Sequence, residues 1–252
     1  MSVSRDELLA DLAGMLRPQD FKDYCPNGLQ VQGRERIQRL VTGVTACQDL
    51  LDAAIAWQAD AILVHHGYFW RGEAEPLVGM KYRRIAALIR HDINLLAYHL
   101  PLDAHPEYGN NARLGQLLGM REVAALPACD EPLVFGGTPD VPMTLGDLAS
   151  RIATLTRREP LLVGDPAQAV LRPSWCTGGA QDYIEAAYAA GADVFITGEV
   201  SERTVHSARE LGIAFIAAGH HATERYGVQA VGECLAQRFD LQHRYIDIDN
   251  PA

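Results

Sequence analysis

The segment QDLLDAAIAWQADAILVHHG, residues 48–67, decides the fold. Its first part has the apolar spacing of an amphipathic helix, and its second part is a short apolar run that indicates a buried strand. A second segment, QDYIEAAYAAGADVFITGE at residues 181–199, aligns with it without a gap. Each segment follows a Thr-Gly dipeptide, at Thr42-Gly43 and at Thr177-Gly178. The shared order of strand, helix and strand predicts parallel sheets, because parallel strands need a crossover connection.

The similarity continues into the next predicted strands, INLLAYH at residues 93–99 and IAFIAAGH at residues 213–220. Each ends in a histidine, and a carboxylate follows four residues later, at Asp103 and at Glu224. A chance likeness between two Ala-rich helices is the alternative. The agreement in element order and in strand-end polar residues favours an internal repeat instead.

The repeat predicts an α/β fold of two pseudo-repeated halves, residues 1–125 and 126–252, with mainly parallel sheets that have mixed edges. The connection at residues 126–142 is rich in Pro and Gly and has room for one short strand. The C-terminal RYIDID, residues 244–249, alternates like an edge strand. Either half can accept this strand, and pairing with the first half is one of the two options.

The charge and cysteine content of the chain argue against several classes of protein. A formal net charge of −10 and a pI of about 5.3 oppose non-specific binding to nucleic acid, which depends on Lys and Arg. No stretch reaches the ~20 apolar residues that cross a membrane, and the charged N-terminus predicts no secretory signal. The cysteines are odd in number and widely spaced, which favours buried thiols in a reducing cytoplasm. They are Cys25, Cys47, Cys129, Cys176 and Cys234.

Chemically capable side chains stand where the predicted strands end. They are His65, His66, His99, Asp103, Glu199, His220, His221 and Glu224. Ligands of parallel α/β sheets bind at the carboxyl ends of the strands, so these side chains are expected to meet in a metal cleft between the halves. Imidazole suits zinc, iron, copper or nickel, while carboxylates suit harder ions and can lie between two of them. The predicted ligands of two divalent ions are His65, His66, Asp103, His220 and Glu224.

Some of these candidates have a structural alternative. His65 and His66 point to opposite faces of a regular strand, so both join one cluster only if the strand ends there. Gly67, which follows directly, supports such an ending. Without a metal, the two histidines are expected to cap neighbouring helices. Asp103 is otherwise a turn residue or a helix N-cap.

The other strand-end residues have open roles. The repeat aligns His220, rather than His221, with the strand-end histidine of the first half, but both lie within four residues of Glu224. His99 is a metal ligand, an orienting partner of a ligand, or a proton-transfer group. Glu199 either reaches the cleft or caps the following helix.

In these motifs the chain resembles the NGG-one-interacting-factor-three-like family, also called GTP cyclohydrolase I type 2 homologues. The motifs are PNGLQV (26–31), LVHHG (63–67), HLPLD (99–103), NN (110–111), TGE (197–199) and GHHATE (219–224). They span nearly the whole chain in the family's order, and the length suits the short bacterial form.

The resemblance implies a toroidal homo-hexamer, a trimer of dimers, with a dinuclear metal centre that faces the internal cavity. It implies the same five ligands and two divalent metal ions per subunit, which are iron, zinc or manganese. It also attaches a GTP cyclohydrolase activity, and therefore a small-molecule substrate, to the family.

Three functions stay open at this point. The first is a metal-dependent hydrolase, in which a metal ion lowers the pKa of a water molecule toward about 7. The second is a non-catalytic hexameric metal-binding scaffold or interaction protein. The third is nucleic-acid binding, which the acidic charge opposes. There is no Walker A loop and no GxGxxG motif to hold a nucleotide, and TGG at residues 177–179 is expected to be a tight turn.

Overall fold

The computed structural model describes residues 2–127 and 132–252, so Cys129 lies outside the described residues. The chain packs as two compact units. Unit 1 comprises Met1–Leu102 and Gly227–Asp249, and unit 2 comprises Asp103–Tyr226 and Asn250–Ala252. These bounds follow the packing of the chain, and the predicted division into repeated halves after residue 125 stays a prediction.

Strands and helices alternate along much of the described chain. The strands are β1 (Val3–Ser4), β2 (Gly28–Val31), β3 (Arg36–Ile37), β4 (Arg39–Thr45), β5 (Ala61–His66), β6 (Asn94–Ala97), β7 (Met120–Ala125), β8 (Phe135–Pro139), β9 (Leu161–Val163), β10 (Pro173–Trp175), β11 (Val194–Thr197), β12 (Ala214–Ala217) and β13 (Gln242–Tyr245). The helices are α1 (Arg5–Leu16), α2 (Gln48–Ala56), α3 (Gly79–Arg90), α4 (Leu100–Ala104), α5 (Asn110–Leu117), α6 (Leu145–Thr156), α7 (Ile184–Ala189), α8 (Glu202–Leu211), α9 (His220–Thr223) and α10 (Arg225–Phe239). Short 3-10 helices span Pro18–Asp20 and Gln181–Tyr183. None of the described helices combines the length and the apolar character needed to cross a membrane.

The main sheet of unit 1 has the strand order β13-β4-β5-β6-β2. Strands β13, β4, β5 and β6 run parallel, and β2 pairs antiparallel with β6. Residues 48–67 form helix α2 and strand β5, as their pattern predicts. Leu50 of the helix and Ile62 of the strand are fully buried in the core of this unit, because helical and strand periodicity turn them to the same side.

The sheet of unit 2 has the strand order β7-β8-β10-β11-β12-β9. Strands β10, β11 and β12 run parallel, while β7, β8 and β9 are antiparallel to their neighbours. The helix predicted after Gln181 begins with a 3-10 turn and continues as α7, which ends at Ala189. Parallel strands with antiparallel edges therefore occur in both units, and the predicted α/β class is confirmed.

The Ala-Asp pair before β5 and before β11 has the same structural role in each unit. Asp60 Oδ2 accepts hydrogen bonds from two consecutive backbone N–H groups that end at Arg39, both at 2.8 Å. The Asp193 carboxylate accepts from two consecutive N–H groups that end at Arg172, with a shortest distance of 2.6 Å. Each carboxylate satisfies backbone donors at the start of the neighbouring strand, β4 or β10.

The C-terminal strand joins the sheet of unit 1. Strand β13 pairs in parallel with β4 at the edge of that sheet, with Tyr245 opposite Thr42. The strand predicted at residues 244–249 therefore begins earlier and ends earlier than expected. After the end of β13 the alternating apolar residues pack against the core instead of extending the strand, because Ile246 and Ile248 contact the core of unit 1.

The core of unit 2 contains a buried tryptophan that also positions a polar residue. Trp175 of β10 is fully buried in a cluster that includes Phe135 and Ile196. Its Nε1–H donates to the backbone carbonyl of Asn111 at 2.8 Å, which satisfies the indole inside an apolar environment. This bond fixes the first turn of α5 against β10.

Candidate metal centre

Two adjacent histidines end strand β5 in unit 1. The strand ends at His66, directly before Gly67, which meets the condition under which neighbouring side chains can join one cluster. The His65 Nδ1–H donates to the backbone carbonyl of Tyr98 at 3.0 Å, and His66 Nδ1 lies 3.3 Å from Thr45 Oγ1. A proton on Nδ1 leaves the lone pair on Nε2, and an imidazole binds metal ions through such a lone pair.

His99 brings a third imidazole to this pair. Its ring centroid lies 5.1 Å from that of His65 and 5.7 Å from that of His66, and the latter two are 4.5 Å apart. One ring nitrogen from each of the three lies within 4.8 Å of the others. His65 is fully buried, His99 is 8% exposed and His66 is half-buried, so most of this cluster lies inside the unit.

The structure adds Asp23, which the sequence did not single out. Its Oδ1 lies 2.9 Å from His99 Nδ1, and its Oδ2 accepts from the Leu100 N–H and from Asn27 Nδ2, both at 3.0 Å. Burial alone would raise the pKa of this carboxyl, but the hydrogen bonds, chiefly that from His99, hold the pKa well below its usual value. Asn27 closes the arrangement by accepting from the His99 N–H at 2.7 Å.

Cys25 lies beside the Asp23 carboxylate but is poorly suited to bind a metal ion. Its Sγ is 3.8 Å from Asp23 Oδ1, and burial together with the nearby negative charge raises the pKa of the thiol to about 12. Metal ions bind the thiolate form, so Cys25 is a buried thiol at neutral pH. The described cysteines, Cys25, Cys47, Cys176 and Cys234, are all free of disulfide bonds.

Two aromatic rings pack against the His99 ring in T-shaped arrangements. The Trp70 centroid lies 5.0 Å away at an interplanar angle of 86°, and the Tyr24 centroid lies 5.2 Å away at 65°. Trp70 Nε1 donates to the Gly67 backbone carbonyl at 3.2 Å, which holds the indole 5.9 Å from the His66 ring. These contacts restrict the rotation of the imidazole.

In unit 2, a hydrogen-bonding network holds Asp103. Its Oδ1 accepts from Asn110 Nδ2 at 2.8 Å and from Thr177 Oγ1 at 3.1 Å. Asn111 Nδ2 donates to the Asp103 backbone carbonyl, and Asn111 Oδ1 accepts from the Thr177 N–H. Asp103 is 6% exposed, and the N-cap of α5 is Gly109. Its carboxylate is thus oriented by side chains, in the way expected of a metal ligand.

The second carboxylate of unit 2 is paired with an imidazole. Glu224 Oε2 lies 3.2 Å from His220 Nε2, and His220 Nδ1 lies 2.7 Å from Glu199 Oε1. Burial alone would lower the pKa of His220, but the two carboxylates raise it to about 9. Glu224 is 2% exposed, and one of its oxygens lies within 4.8 Å of an Asp103 oxygen. The pocket concentrates negative charge, which favours a cation.

This geometry bears on two questions that the sequence left open. The ring of His220, which the repeat favours over His221, meets Glu224. Glu199 orients His220, and the N-cap of α8 is Ser201 instead. The repeat-based choice of His220 therefore agrees with its position beside the buried carboxylate.

Gly178 provides the space that Glu224 occupies. Its backbone lies in the left-handed region with φ +73°, and a Cβ built there would lie 2.1 Å from Glu224 Oε1. The Gly178 N–H donates to Thr223 Oγ1 at 3.0 Å, which fixes the turn. The TGG stretch is the tight turn expected from the sequence, and it also brings a carboxylate close to the backbone.

The side chains of each unit fit a divalent metal ion in their chemistry. Unit 1 offers clustered imidazole nitrogens, and unit 2 offers two buried carboxylates with an imidazole. Zinc, iron and manganese accept such mixtures of nitrogen and oxygen ligands. An α/β protein with these groups at its strand ends belongs to the class of candidate metalloproteins.

Comparison with known proteins identifies the family. The model of the family Duf34/NIF3 (NGG1p interacting factor 3) matches residues 3–251, so the chain belongs to this family. The chain is 54% identical over 253 residues to a Pseudomonas aeruginosa protein named GTP cyclohydrolase 1 type 2 homolog, with 100% of both chains covered. An Escherichia coli K12 protein of the same name is 54% identical over 233 residues, which cover 92% of this chain and 93% of the relative.

Solved structures show the same fold. The structure of the protein ybgI, described as of unknown function, is 51% identical and gives a TM-score of 0.94 over 99% of this chain and 100% of that chain. A crystal structure of a Thermus thermophilus protein is 35% identical and gives a TM-score of 0.90 with the same coverage. The resemblance inferred from the sequence motifs is confirmed.

Proposed function

We propose that His65, His66, Asp103, His220 and Glu224 together bind two divalent metal ions, and that the protein is a metal-dependent hydrolase. The main support is the orientation of the three imidazoles. In each of them Nδ1 lies within hydrogen-bonding distance of an oxygen. His65 donates from Nδ1 and therefore presents the Nε2 lone pair, whereas a metal ion that binds His220 has to displace the proton that Glu224 and Glu199 stabilise. Partners of this kind orient metal-binding histidines. The buried carboxylates add the oxygen ligands that two-metal sites use.

Bound divalent ions would lower the pKa of a water molecule and polarise the bond to be hydrolysed. The residues of the chain would keep the ligands in place. Thr177 and Asn110 hold the Asp103 carboxylate, and Glu199 holds the His220 ring. The burial of Glu224 keeps bulk water away from its charge, which strengthens its attraction to a cation.

The name of the relatives suggests a substrate class. Proteins called GTP cyclohydrolase 1 type 2 homolog share about half of their residues with this chain. We propose, on this basis, that the reaction is cyclohydrolase-like, in which water opens a ring at a carbon–nitrogen bond of a small molecule. The chain would carry out this reaction in the cytoplasm, and the free, buried thiols of Cys25 and Cys176 agree with a reducing compartment.

We also propose that the protein assembles as a homo-hexamer, a trimer of dimers. An exposed apolar stretch at the start of α3 supports a subunit interface, since Leu77, Val78 and Met80 are 48%, 69% and 56% exposed. The same stretch favours the second candidate function, a non-catalytic metal-binding scaffold that docks a partner. Light scattering of the purified protein tests the assembly, and a monomer in solution would contradict it.

Metal analysis and a substrate screen test the hydrolase together with its site. Protein prepared without chelators is expected to hold about two metal ions per chain and to hydrolyse a member of a panel of nucleotides, phosphodiesters and peptides. The double variant His65→Ala with Glu224→Ala is expected to lose both metal and turnover. His206→Ala, at an exposed histidine of α8, is the matched control and should keep both.

The possible outcomes separate the two functions. Bound metal without turnover on any member of the panel favours the scaffold over the hydrolase. Protein without stoichiometric metal contradicts the site itself. Turnover that survives in the double variant shows that the reaction does not depend on these ligands.

A further inference from the structure

A buried carboxylate–histidine pair lies beside the imidazoles of unit 1 and is not among the proposed ligands. It consists of Asp23 and His99, whose Oδ1 and Nδ1 are 2.9 Å apart. The Asp23 side chain is 3% exposed and the His99 side chain 10%. Because a carboxylate accepts, the proton of this hydrogen bond is carried by His99 Nδ1, and Nε2 presents a lone pair.

Several contacts hold this pair in one orientation. Asp23 Oδ2 accepts from the Leu100 N–H and from Asn27 Nδ2, and Asn27 Oδ1 accepts from the His99 N–H. The Trp70 ring packs against the imidazole in a T-shaped arrangement, with the two ring centroids 5.0 Å apart. An imidazole fixed in this way is pre-organised to accept a hydrogen bond at one point in space.

The pair differs from the proposed histidine ligands of unit 1 in the group that faces Nδ1. His65 donates to a neutral backbone carbonyl and His66 meets a hydroxyl, whereas His99 meets a carboxylate. A carboxylate partner fixes the proton on Nδ1 and the orientation of the ring, so that Nε2 is held as the acceptor. The His99 ring lies 5.1 Å from the His65 ring, so its acceptor belongs to the same cluster.

We propose that His99 Nε2 accepts a hydrogen bond from a water molecule or a protonated ligand group at the metal site, and that Asp23 is the positioning residue for His99. This inference rests on the proposed metal site. Two ions that are bound by the five proposed ligands still have coordination positions that water can occupy. His99 is not one of these ligands, so its ring is available to orient the group in those positions. The site would then prefer a ligand that carries an acidic proton to a ligand of the same shape without one.

Hydrogen phosphate and sulfate test this preference at mildly alkaline pH, where both are mainly tetrahedral dianions and only hydrogen phosphate carries a proton. Each anion is titrated calorimetrically into the metal-loaded protein. The ratio of phosphate affinity to sulfate affinity is expected to fall about tenfold in His99→Leu, which is the contribution of one charge-assisted hydrogen bond. Metal content, measured by elemental analysis, should stay unchanged.

Asp23→Asn tests the positioning role separately. Both carboxylate oxygens of Asp23 now accept hydrogen bonds, and an amide offers only one oxygen, so the ring of His99 loses its fixed orientation. The phosphate-to-sulfate ratio is expected to fall in this variant as well, again without loss of metal. Asp52→Asn makes the same chemical change at an exposed carboxylate of α2 and should leave the ratio unchanged.

Four results would overturn the inference, and metal content shows which of them also concern the metal site. An unchanged ratio in both variants, or no binding of either anion, with metal retained, removes the acceptor role and leaves the metal site standing. Loss of a metal ion in His99→Leu makes His99 a ligand instead. Wild-type protein without metal contradicts the proposed site first and this inference with it. If His99→Leu does not fold, the inference is tested by Asp23→Asn alone.

Discussion

Gly178→Ala places a methyl group against the carboxylate of Glu224, which we propose as a metal ligand. The added Cβ would lie 2.1 Å from Glu224 Oε1. Ordinary contacts between carbon and oxygen begin at about 3.3 Å, so the oxygen has to move by about 1 Å. Distances from metal ions to their ligands vary by only about 0.2 Å in well-formed sites. The displaced carboxylate can then no longer serve as a ligand in its present position.

A matched substitution separates this displacement from backbone strain. Gly212 has φ +72°, almost the same as Gly178, but nothing lies within 4 Å of a Cβ added there. Alanine in the left-handed conformation costs ~1–2 kcal/mol of stability at either position. Only Gly178→Ala also moves Glu224, which should weaken metal binding by about 10–100-fold, or ~1.4–2.8 kcal/mol.

The assay combines calorimetric titration of Zn²⁺ into metal-free protein with thermal unfolding of the same samples. We expect both variants to lose similar stability in the metal-free state and only Gly178→Ala to lose zinc affinity. Equal zinc affinities of Gly178→Ala and Gly212→Ala would refute the reasoning, because Glu224 would then either not be displaced or not be needed for binding.

The indole of Trp70 lies 5.9 Å from the His66 ring, so Co²⁺ binding should quench its fluorescence; an equal change in Trp70→Phe would contradict this. Burial lowers the pKa of His243 in the folded protein below its usual value of ~6.5. As the pH falls through ~6.5, His243 therefore takes up a proton in the unfolded chain but not in the folded chain. The folded protein therefore loses stability as the pH falls. In urea denaturation of metal-free protein, His243→Gln should reduce the loss of unfolding free energy between about pH 7.5 and about pH 5.5. Identical pH profiles of the variant and the wild type would exclude this role of His243. Asp60→Ala deprives two backbone N–H groups of their acceptor and should lower the unfolding free energy by ~1–3 kcal/mol. Asp52→Ala, at an exposed side chain of α2, should lower it by less than ~1 kcal/mol, and equal losses would contradict the role of Asp60.

The fold could be predicted where local pattern and topology agree. The periodicity of residues 48–67 predicts α2 and β5, because a one-sided helix and a fully apolar strand leave few other arrangements. The strand that the pattern predicts at residues 244–249 lies at Gln242–Tyr245 in the structure. Its alternation continues through Ile246 and Ile248, and sequence alone does not separate side chains that alternate within a sheet from side chains that pack against its core.

The candidate site could be predicted only in part. The sequence predicts His65, Asp103 and Glu224 as ligands because they follow predicted strands, and polar groups at strand ends are the residues that an α/β fold presents to a ligand. Asp23 was missed because it lies 76 residues from His99 in sequence, in a segment without helix or strand. No local pattern indicates such a pairing, which depends on the three-dimensional path of the chain.

A crystal structure of the protein grown with Zn²⁺, with data recorded at the zinc absorption edge, tests the metal site most directly. We predict two anomalous peaks per chain, about 3.5–4 Å apart. Their ligands should be His65, His66, Asp103, His220 and Glu224. A single peak, or peaks bound by other side chains, would contradict the proposed dinuclear centre.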